Sequence, residues 1–266
     1  MRTIVEIICG KNMKFRVRII LMVLTGTLFS CKQQPFVVEK VTSSPQKIDA
    51  SIADDKEVDD FIAPFRKHLN ETLDAPLSFA TKNLTKGDGE LESTLGNLVA
   101  DISLEQTASI FTKRHNKNID LVLLNHGGLR APILKGNVTA RTAFEVMPFE
   151  NELVVAELTS EKTKELISYL TARLRAHPIS NLELSINKET KQAEKVLIDG
   201  KPLEEGRTYL VLTTDYLQQG GDRMDFFKDP VHLYKTDYKL RNALIDYFKK
   251  TDTLHVSLDK RMSYAK

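Results

Sequence analysis

Tryptophan is absent from this sequence, cysteine occurs only twice, and neither sign of charge prevails. Two cysteines, Cys9 and Cys31, cannot build a disulfide framework or a cysteine-rich zinc site, both of which need several thiols at set spacing. With 38 Lys or Arg against 36 Asp or Glu, the formal charge is +2. That leaves no basic footprint for a nucleic-acid partner. The six histidines, His68, His115, His126, His177, His232 and His255, are scattered, with no two at metal-ligand spacing. No Gly-x-Ser-x-Gly elbow supports a serine hydrolase. No internal repeat or low-complexity tract interrupts the chain. What is present is an ordinary globular mixture, 28% charged and 41% hydrophobic over 266 residues, enough for one large domain or two small ones.

The N-terminus carries a separate signal. Lys11, Lys14, Arg16 and Arg18 precede an apolar run from Ile19 to Phe29. That run is too short for a transmembrane helix, which needs about 20 residues. A basic head before a short apolar run reads as a secretory signal. The run ends "LFSC", which resembles a bacterial lipobox, so residues 1–30 are expected to be a lipoprotein signal and Cys31 the lipidated first residue of the mature chain. A buried cysteine beside an N-terminal helix is the alternative. Met13 is a second candidate start. Loss of residues 1–30, with five Lys or Arg and one Glu, would turn the formal charge from +2 to −2. Residues 31–56, polar and with Pro35 and Pro45, read as a flexible tether. A lipid anchor would place the protein in the cell envelope, on the periplasmic side or the cell surface.

The folded part is expected over residues 57–266. Val58, Phe61, Ile62, Phe65, Leu69 and Leu73 recur at helical spacing, with Pro64 either kinking that helix or marking its start. "LSFATKNL" (77–84) alternates as a half-buried strand would. Ser93 or Thr94 caps a helix bearing Leu95, Leu98, Val99 and Ile102. "IDLVLLN" (119–125) is a continuous apolar run, as in a central strand. A short helix follows Thr139, "NELVVAELT" (151–159) is a strand, and Glu161 to Arg175 a helix. "NLELSIN" and "AEKVLID" form a hairpin, with Asp199-Gly200 as a turn. "RTYLVLTTD" (207–215) is a strand, and a last helix spans about 237–250. Strands and helices alternating irregularly, with a hairpin, imply an α+β or mixed α/β fold in which helices pack on mixed sheets.

Two strand-end loops carry the candidate chemistry. The first runs Asn125-His126-Gly127-Gly128-Leu129-Arg130 and the second Thr214-Asp215-Tyr216-Leu217-Gln218-Gln219-Gly220-Gly221-Asp222. Glycine lets a backbone approach a ligand closely or take positive φ. An arginine after two glycines can clamp an anion, and an aspartate there can accept from a sugar diol. A Gly-Gly turn before a charge is equally the signature of a solvated loop. Phe149, after Pro148 and between a helix and a strand, is a core side chain or a stacking plate for a planar ring.

Taken together, "NHGGLR", "FEVMPFENELVVAELT" and "TDYLQQGGD" resemble the C-terminal domain of 5′-nucleotidases and related bacterial UDP-sugar hydrolases. That family shows an Asn-Gly-Gly-Gly-Ile-Arg-like loop, a Leu-Pro-Phe segment and a Phe-Leu-x-x-Gly-Gly-Asp loop. "LGNLVAD" (95–101) resembles a helix near the start of the family's domain, and "SLDKRM" (257–262) its closing stretch. The resemblance runs from about residue 59 to 263. It implies a site in which Phe149 and Tyr216 sandwich a base, Asp222 accepts from the ribose diol, Asn125 meets the nucleoside beside Gly128, and Arg130 meets a phosphate. His126 departs from the family's glycine, which puts the backbone of that loop in question. The family's arginines before the "LGN" helix are replaced by Glu90-Leu91-Glu92-Ser93.

The family's chemistry belongs to an N-terminal metallophosphatase domain with two metal ions, whose Asp-x-His, Gly-Asn-His-Glu and His-x-His motifs do not occur here. The resemblance therefore implies the substrate-binding half of a 5′-nucleotidase-type phosphohydrolase. It would have no catalytic residue, metal or cofactor of its own, and would act with a separate metallophosphatase chain that holds divalent metals. A non-catalytic nucleoside-binding or scaffold lipoprotein is the alternative.

Overall fold

A computed structural model describes residues 38, 40–49 and 51–265; the calls on the signal segment and on Cys31 lie outside them. The described residues before Lys56 form no helix or strand, and Lys56 begins a compact unit with two hydrophobic clusters. No helix among the described residues is long and apolar enough to cross a membrane.

The frame of the unit is a five-stranded sheet of β2 (Leu121–Leu123), β4 (Glu152–Leu158), β5 (Ile179–Ser180), β9 (Tyr209–Thr214) and β10 (His232–Lys239), ordered β10-β4-β9-β2-β5. Only β2 and β9 run parallel; the other neighbours are antiparallel. Successive strand residues point to opposite faces, and here both faces are covered. Val122, Leu153, Val155, Leu210 and Leu212 join one cluster; Leu121, Leu123, Ala156, Leu158, Tyr209 and Val211 join the other. The first cluster is closed by α2 (Thr94–His115), α3 (Ala140–Val146) and α5 (Leu240–Lys250). The second is closed by α4 (Ser160–Arg173) and by a four-stranded sheet of β6 (Leu182–Ile186), β7 (Ala193–Ile198), β8 (Lys201–Pro202) and β12 (Met262–Tyr264). A three-stranded sheet holds β1 (Pro76–Ala80), β3 (Gly136–Thr139) and β11 (Thr253–Leu254). Each sheet pairs parallel and antiparallel neighbours, so the fold is mixed α+β.

Local chemistry explains the boundaries. Ser93 caps α2 by accepting from the Gly96 amide at 3.1 Å, and Thr139 caps α3 in a reciprocal box with Thr142. Asp199 and Gly200, at φ 49 and 71, make the two-residue turn from β7 to β8 that favours left-handed backbone at both positions.

Three expectations change. The first helix, α1 (Lys56–Asp74), starts at Lys56 and runs through Pro64, so Pro64 does not mark its start. Its apolar face is open: Val58, Phe61, Ile62, Phe65 and Leu69 are exposed, and Arg141 ties its end through Asp74 (2.5 and 3.0 Å) and Asn70 (2.8 Å). The strand expected over 77–84 stops at Ala80; Leu84 makes only an isolated bridge with Ile133. Residues 237–239 belong to β10, and the last helix begins at Leu240. A bulge between Lys235 and Tyr238, with Asp237 at φ 56, breaks the alternation that would have marked β10 as a strand.

The stretch that replaces the expected arginines is structural. Glu92 is 7% exposed, and its carboxylate accepts from Asn97 Nδ2 (2.9 Å) and from the amides of Asp259 (3.2 Å) and Lys260 (2.7 Å). Beside this clasp Arg261 makes a bidentate pair with Asp101 (2.8 and 3.0 Å) and reaches Asp259 and the Ile179 carbonyl. The "LGNLVAD" helix and the "SLDKRM" stretch are thus joined through side chains about 160 residues apart.

Candidate functional site

Strand direction assembles the site. Because β2 and β9 are parallel, the loops after Leu123 and after Thr214 leave the sheet at the same end. Because β4 is antiparallel to β9, with Leu153 opposite Thr214, the segment before Glu152 meets them there. Ligand sites favour such a convergence at the carboxyl ends of parallel strands. The cavity there has a volume of about 610 Å³. Asn125, Gly128, Arg130, Phe149, Tyr216 and Asp222, drawn from three separate segments, all line it.

Each is held by its neighbours. Asn125 donates through Nδ2 to Asp222 Oδ2 at 2.7 Å, which joins the two glycine loops directly. A Cβ on Gly128 would lie 2.7 Å from Asn125 Oδ1, so glycine is what lets this amide sit against the loop. A Cβ on Gly221 would lie 2.5 Å from the Tyr216 ring, which rests on that bare backbone. Gly220, Asp222 and Arg223 take φ of 91, 53 and 62, a run of left-handed backbone that turns Asp222 back toward Asn125. Such conformations persist only where surrounding contacts fix them; here Tyr169 donates to the Asp222 carbonyl at 3.0 Å. Phe149 and Tyr216 are 41% and 47% exposed at the cavity, against the near-complete burial of core aromatics such as Phe227. The Arg130 guanidinium lies 5.8 Å from the Phe149 ring centroid, and Arg130 is the only cation among the described residues that line the cavity.

The sequence motifs give no role to the residues that aim these groups. Asp215 Oδ1 accepts from Asn151 Nδ2 (3.1 Å) and from the amides of Glu152 (3.1 Å) and Tyr216 (2.8 Å), so one carboxylate ties the start of β4 to the loop after β9. Arg241 donates to the Phe149 carbonyl and pairs with Glu150, which also pairs with Lys239. The Lys239 ammonium and the Arg241 guanidinium hold the Glu150 carboxyl down to about 2. The partial signal for Arg241 is its place in the first turn of an expected helix; nothing in the sequence points it at Phe149.

His126 resolves plainly. Residues 126–128 form one 3-10 turn, with no positive φ at any of the three, so histidine fits where the resemblance would put glycine. Its ring turns out of the cavity, with Nδ1 at 3.1 Å from the Ala176 carbonyl, and its amide donates to His177 Nδ1 at 3.3 Å. His177 is 5% exposed, and burial pushes it down to about 4. The Leu124 carbonyl opposes that shift without meeting Nε2 in hydrogen-bonding geometry, and among the described residues Nε2 has no hydrogen-bond partner. A depressed histidine contributes stability that is fully present above about pH 6.5 and is lost as pH falls toward 4, because the unfolded chain takes up the proton first. The upper bound is about 3 kcal/mol. Urea midpoints between pH 7 and 4 are therefore expected to fall in the wild type and to flatten over that window in His177→Gln; parallel curves would refute the assignment. Among the described residues no three His, Cys, Asp or Glu side chains are grouped to hold a metal ion.

The family described as "5′-nucleotidase, C-terminal domain" matches residues 73–229. Protein UshA of Escherichia coli is 23% identical over 229 residues, covering 83% of this chain and 38% of that protein. A 5′-nucleotidase of Vibrio vulnificus is 25% identical over 220 residues, covering 79% of this chain and 37% of that protein. The crystal structure of a 5′-nucleotidase precursor from Thermus thermophilus superposes with a TM-score of 0.65 at 22% identity, covering 78% of this chain and 43% of that one, which shows a shared fold. The chain thus spans well under half the length of these relatives.

Proposed function

The chain belongs to the family of 5′-nucleotidase C-terminal domains, and from that premise we propose that it is the nucleoside- or nucleotide-holding half of a 5′-nucleotidase-type phosphohydrolase. The observation that carries this reading is the convergence of two half-exposed rings, a carboxylate and an arginine from three distant segments on one cavity. Its volume, about 610 Å³, falls in the range of small-molecule sites. Phe149 and Tyr216 take the faces of the base, Asp222 accepts from the ribose diol, Asn125 meets the nucleoside, Gly128 lets the loop approach it, and Arg130 meets the phosphate. Asn125 already donates to Asp222, so that carboxylate is oriented before a sugar arrives.

Hydrolysis itself falls to a separate metallophosphatase chain in this reading. The residues here bind, orient and shield the nucleoside while that partner, with its divalent metals, supplies the attacking water. Removal of residues 1–30 and lipidation at Cys31 would hold the protein at the cell envelope, facing the periplasm or the cell surface.

Calorimetry with adenosine and adenosine 5′-phosphate tests the proposal. The 5′-phosphate is expected to bind about tenfold tighter than adenosine, the gain of one charge-assisted pair, and Arg130→Ala should erase that gain while leaving adenosine binding intact. No binding of either compound would overturn it. One observation favours a second reading, a nucleoside-binding scaffold without a phosphate grip: Glu92 occupies the stretch where cations were expected, committed to its clasp. Equal affinities for the two compounds would select that reading.

A further inference from the structure

On the far side of the Asn125–Gly128 loop lies a second cleft of about 250 Å³, lined by His126, Gly127, Tyr169, Arg173, Arg175, His177, Asp222 and Arg223. Three guanidinium groups face one carboxylate there. Helix α4 ends at Arg173, the chain turns through Leu174 at φ 47, and a tight turn closed by the His177 amide on the Arg175 carbonyl (2.7 Å) brings Arg175 and His177 beside Arg173. Arg223 comes from the opposite side, displayed by the left-handed run after Gly220. Like charges repel one another, so a cluster of this kind is ordinarily spent on ion pairs. Here none of the three guanidinium groups is ion-paired among the described residues; Arg173 instead lies over the Tyr169 ring, 5.5 Å from its centroid.

The cleft also holds a buried histidine, His177, one ring nitrogen of which has no hydrogen-bond partner among the described residues. Nδ1 of His177 accepts from the His126 amide, which assigns the hydrogen of the neutral ring to Nε2, and among the described residues that buried donor meets no acceptor in hydrogen-bonding geometry, the nearby Leu124 carbonyl included. A buried donor without an acceptor is unfavourable unless something fills the role. The single acid, Asp222, is already engaged by Asn125 from the nucleoside side.

We propose that this cleft is a second, anion-binding site that takes a phosphate group. Three arginines against one aspartate leave a formal +2, which matches the charge of a phosphate monoester or of inorganic phosphate near neutrality. Guanidinium forks suit phosphate oxygens bidentately. The cleft is smaller than the roughly 300 Å³ at which small-molecule pockets begin, so it suits a compact anion rather than a second nucleoside. Two sources offer that chemistry. One is free inorganic phosphate. The other is a phosphate on the 2′ or 3′ side of a ribose held at Asp222, which lines both cavities; this second source rests on the nucleoside reading above, whereas the first does not.

Calorimetry of the full chain with inorganic phosphate, adenosine 3′-phosphate and adenosine 5′-phosphate tests it, using Arg175→Ala/Arg223→Ala and, for the other cavity, Phe149→Ala and Arg130→Ala. Both arginines are exposed, so the double variant keeps the fold. If the source is free phosphate, inorganic phosphate binds the wild type, binds about tenfold weaker in the double variant, and is unchanged by Phe149→Ala and Arg130→Ala. If the source is ribose-borne, adenosine 3′-phosphate binds about tenfold tighter than the 5′-phosphate, and that preference vanishes in the double variant. Either result supports the site. It is overturned if neither phosphate source responds to Arg175→Ala/Arg223→Ala, or if inorganic phosphate binding is lost in Arg130→Ala instead. Failure of the nucleoside reading alone would show as absent adenosine binding with the inorganic phosphate response intact.

Discussion

Phe149→Ala combined with Tyr216→Ala is expected to weaken nucleoside binding by two to three orders of magnitude while the protein stays folded. Stacking of a base on an aromatic ring is worth about 1–3 kcal/mol by alanine substitution, and two rings on opposite faces contribute twice, less what the first loss takes from the second. Both rings are half open to the cavity, so their truncation should change stability by no more than about 1 kcal/mol. Tyr216→Phe keeps the ring and should bind nearly as the wild type does. Gly221→Ala is the sharper variant: its methyl group would arrive 2.5 Å from the Tyr216 ring and push it off its bed, mimicking the loss of Tyr216 without removing it. Calorimetry with adenosine reads the affinity, and a thermal melt reads the fold. A double variant that binds adenosine unchanged would remove the rings from the site; one that unfolds would make them core side chains.

How far the site was legible follows from which physical signals are local. Glycine pairs, a carboxylate after them and an aromatic after proline are local features, so the two loops and Phe149 stood out before any coordinates. That they share one cavity depends on β2 running parallel to β9 and β4 running against it, and strand direction has no local signal. The strand signal of "NELVVAELT" and "RTYLVLTTD" located two of the strands that bring the segments together. It failed at β10, where a bulge spoils the period. The apolar face of α1 shows the opposite failure, since spacing announces an amphipathic helix but not whether anything covers it.

Long-range partners were the least visible part. Asp215 and Glu150 lie inside the quoted motifs without a role there, Arg241 lies outside them, and a charge is by default a solvated surface residue. Only the fold brings Asp215 to three hydrogen-bond donors, and Arg241 back across 92 residues to the Phe149 carbonyl. The cationic cleft was hidden for the same reason. Arg173 and Arg175 sit at a helix end, where basic residues are common because they favour the carboxyl end of the helix dipole. Arg223 arrives from another loop. The histidine of "NHGG" looked like a defect in a glycine loop, whereas its ring lines that cleft and its amide meets His177.

Glu92→Ala is expected to destabilise the unit by about 3 kcal/mol, against less than about 0.5 kcal/mol for Glu90→Ala two residues earlier. The two acids look alike in the sequence, yet Glu90 is exposed and Glu92 is buried under the chain's last turn. Removing the Glu92 carboxylate strands the side-chain amide of Asn97 and the main-chain amides of Asp259 and Lys260. Lys260 is held at φ 67, a conformation with little intrinsic support once its amide loses its acceptor. The turn that displays Arg261 to Asp101 loosens with it, and so does the pairing of β12 with β6. Glu92→Gln keeps one acceptor oxygen and should fall between, at about 1 kcal/mol. For a unit of this size 3 kcal/mol corresponds to a fall of roughly 10 °C in Tm, easily resolved by calorimetric melts of the three variants. Placing an arginine here, Glu92→Arg, is then expected to cost more stability still and to add no phosphate affinity, because the position faces Asn97 and the closing turn rather than the cavity between the two glycine loops. Equal melting temperatures for Glu90→Ala and Glu92→Ala would show that the clasp carries no weight.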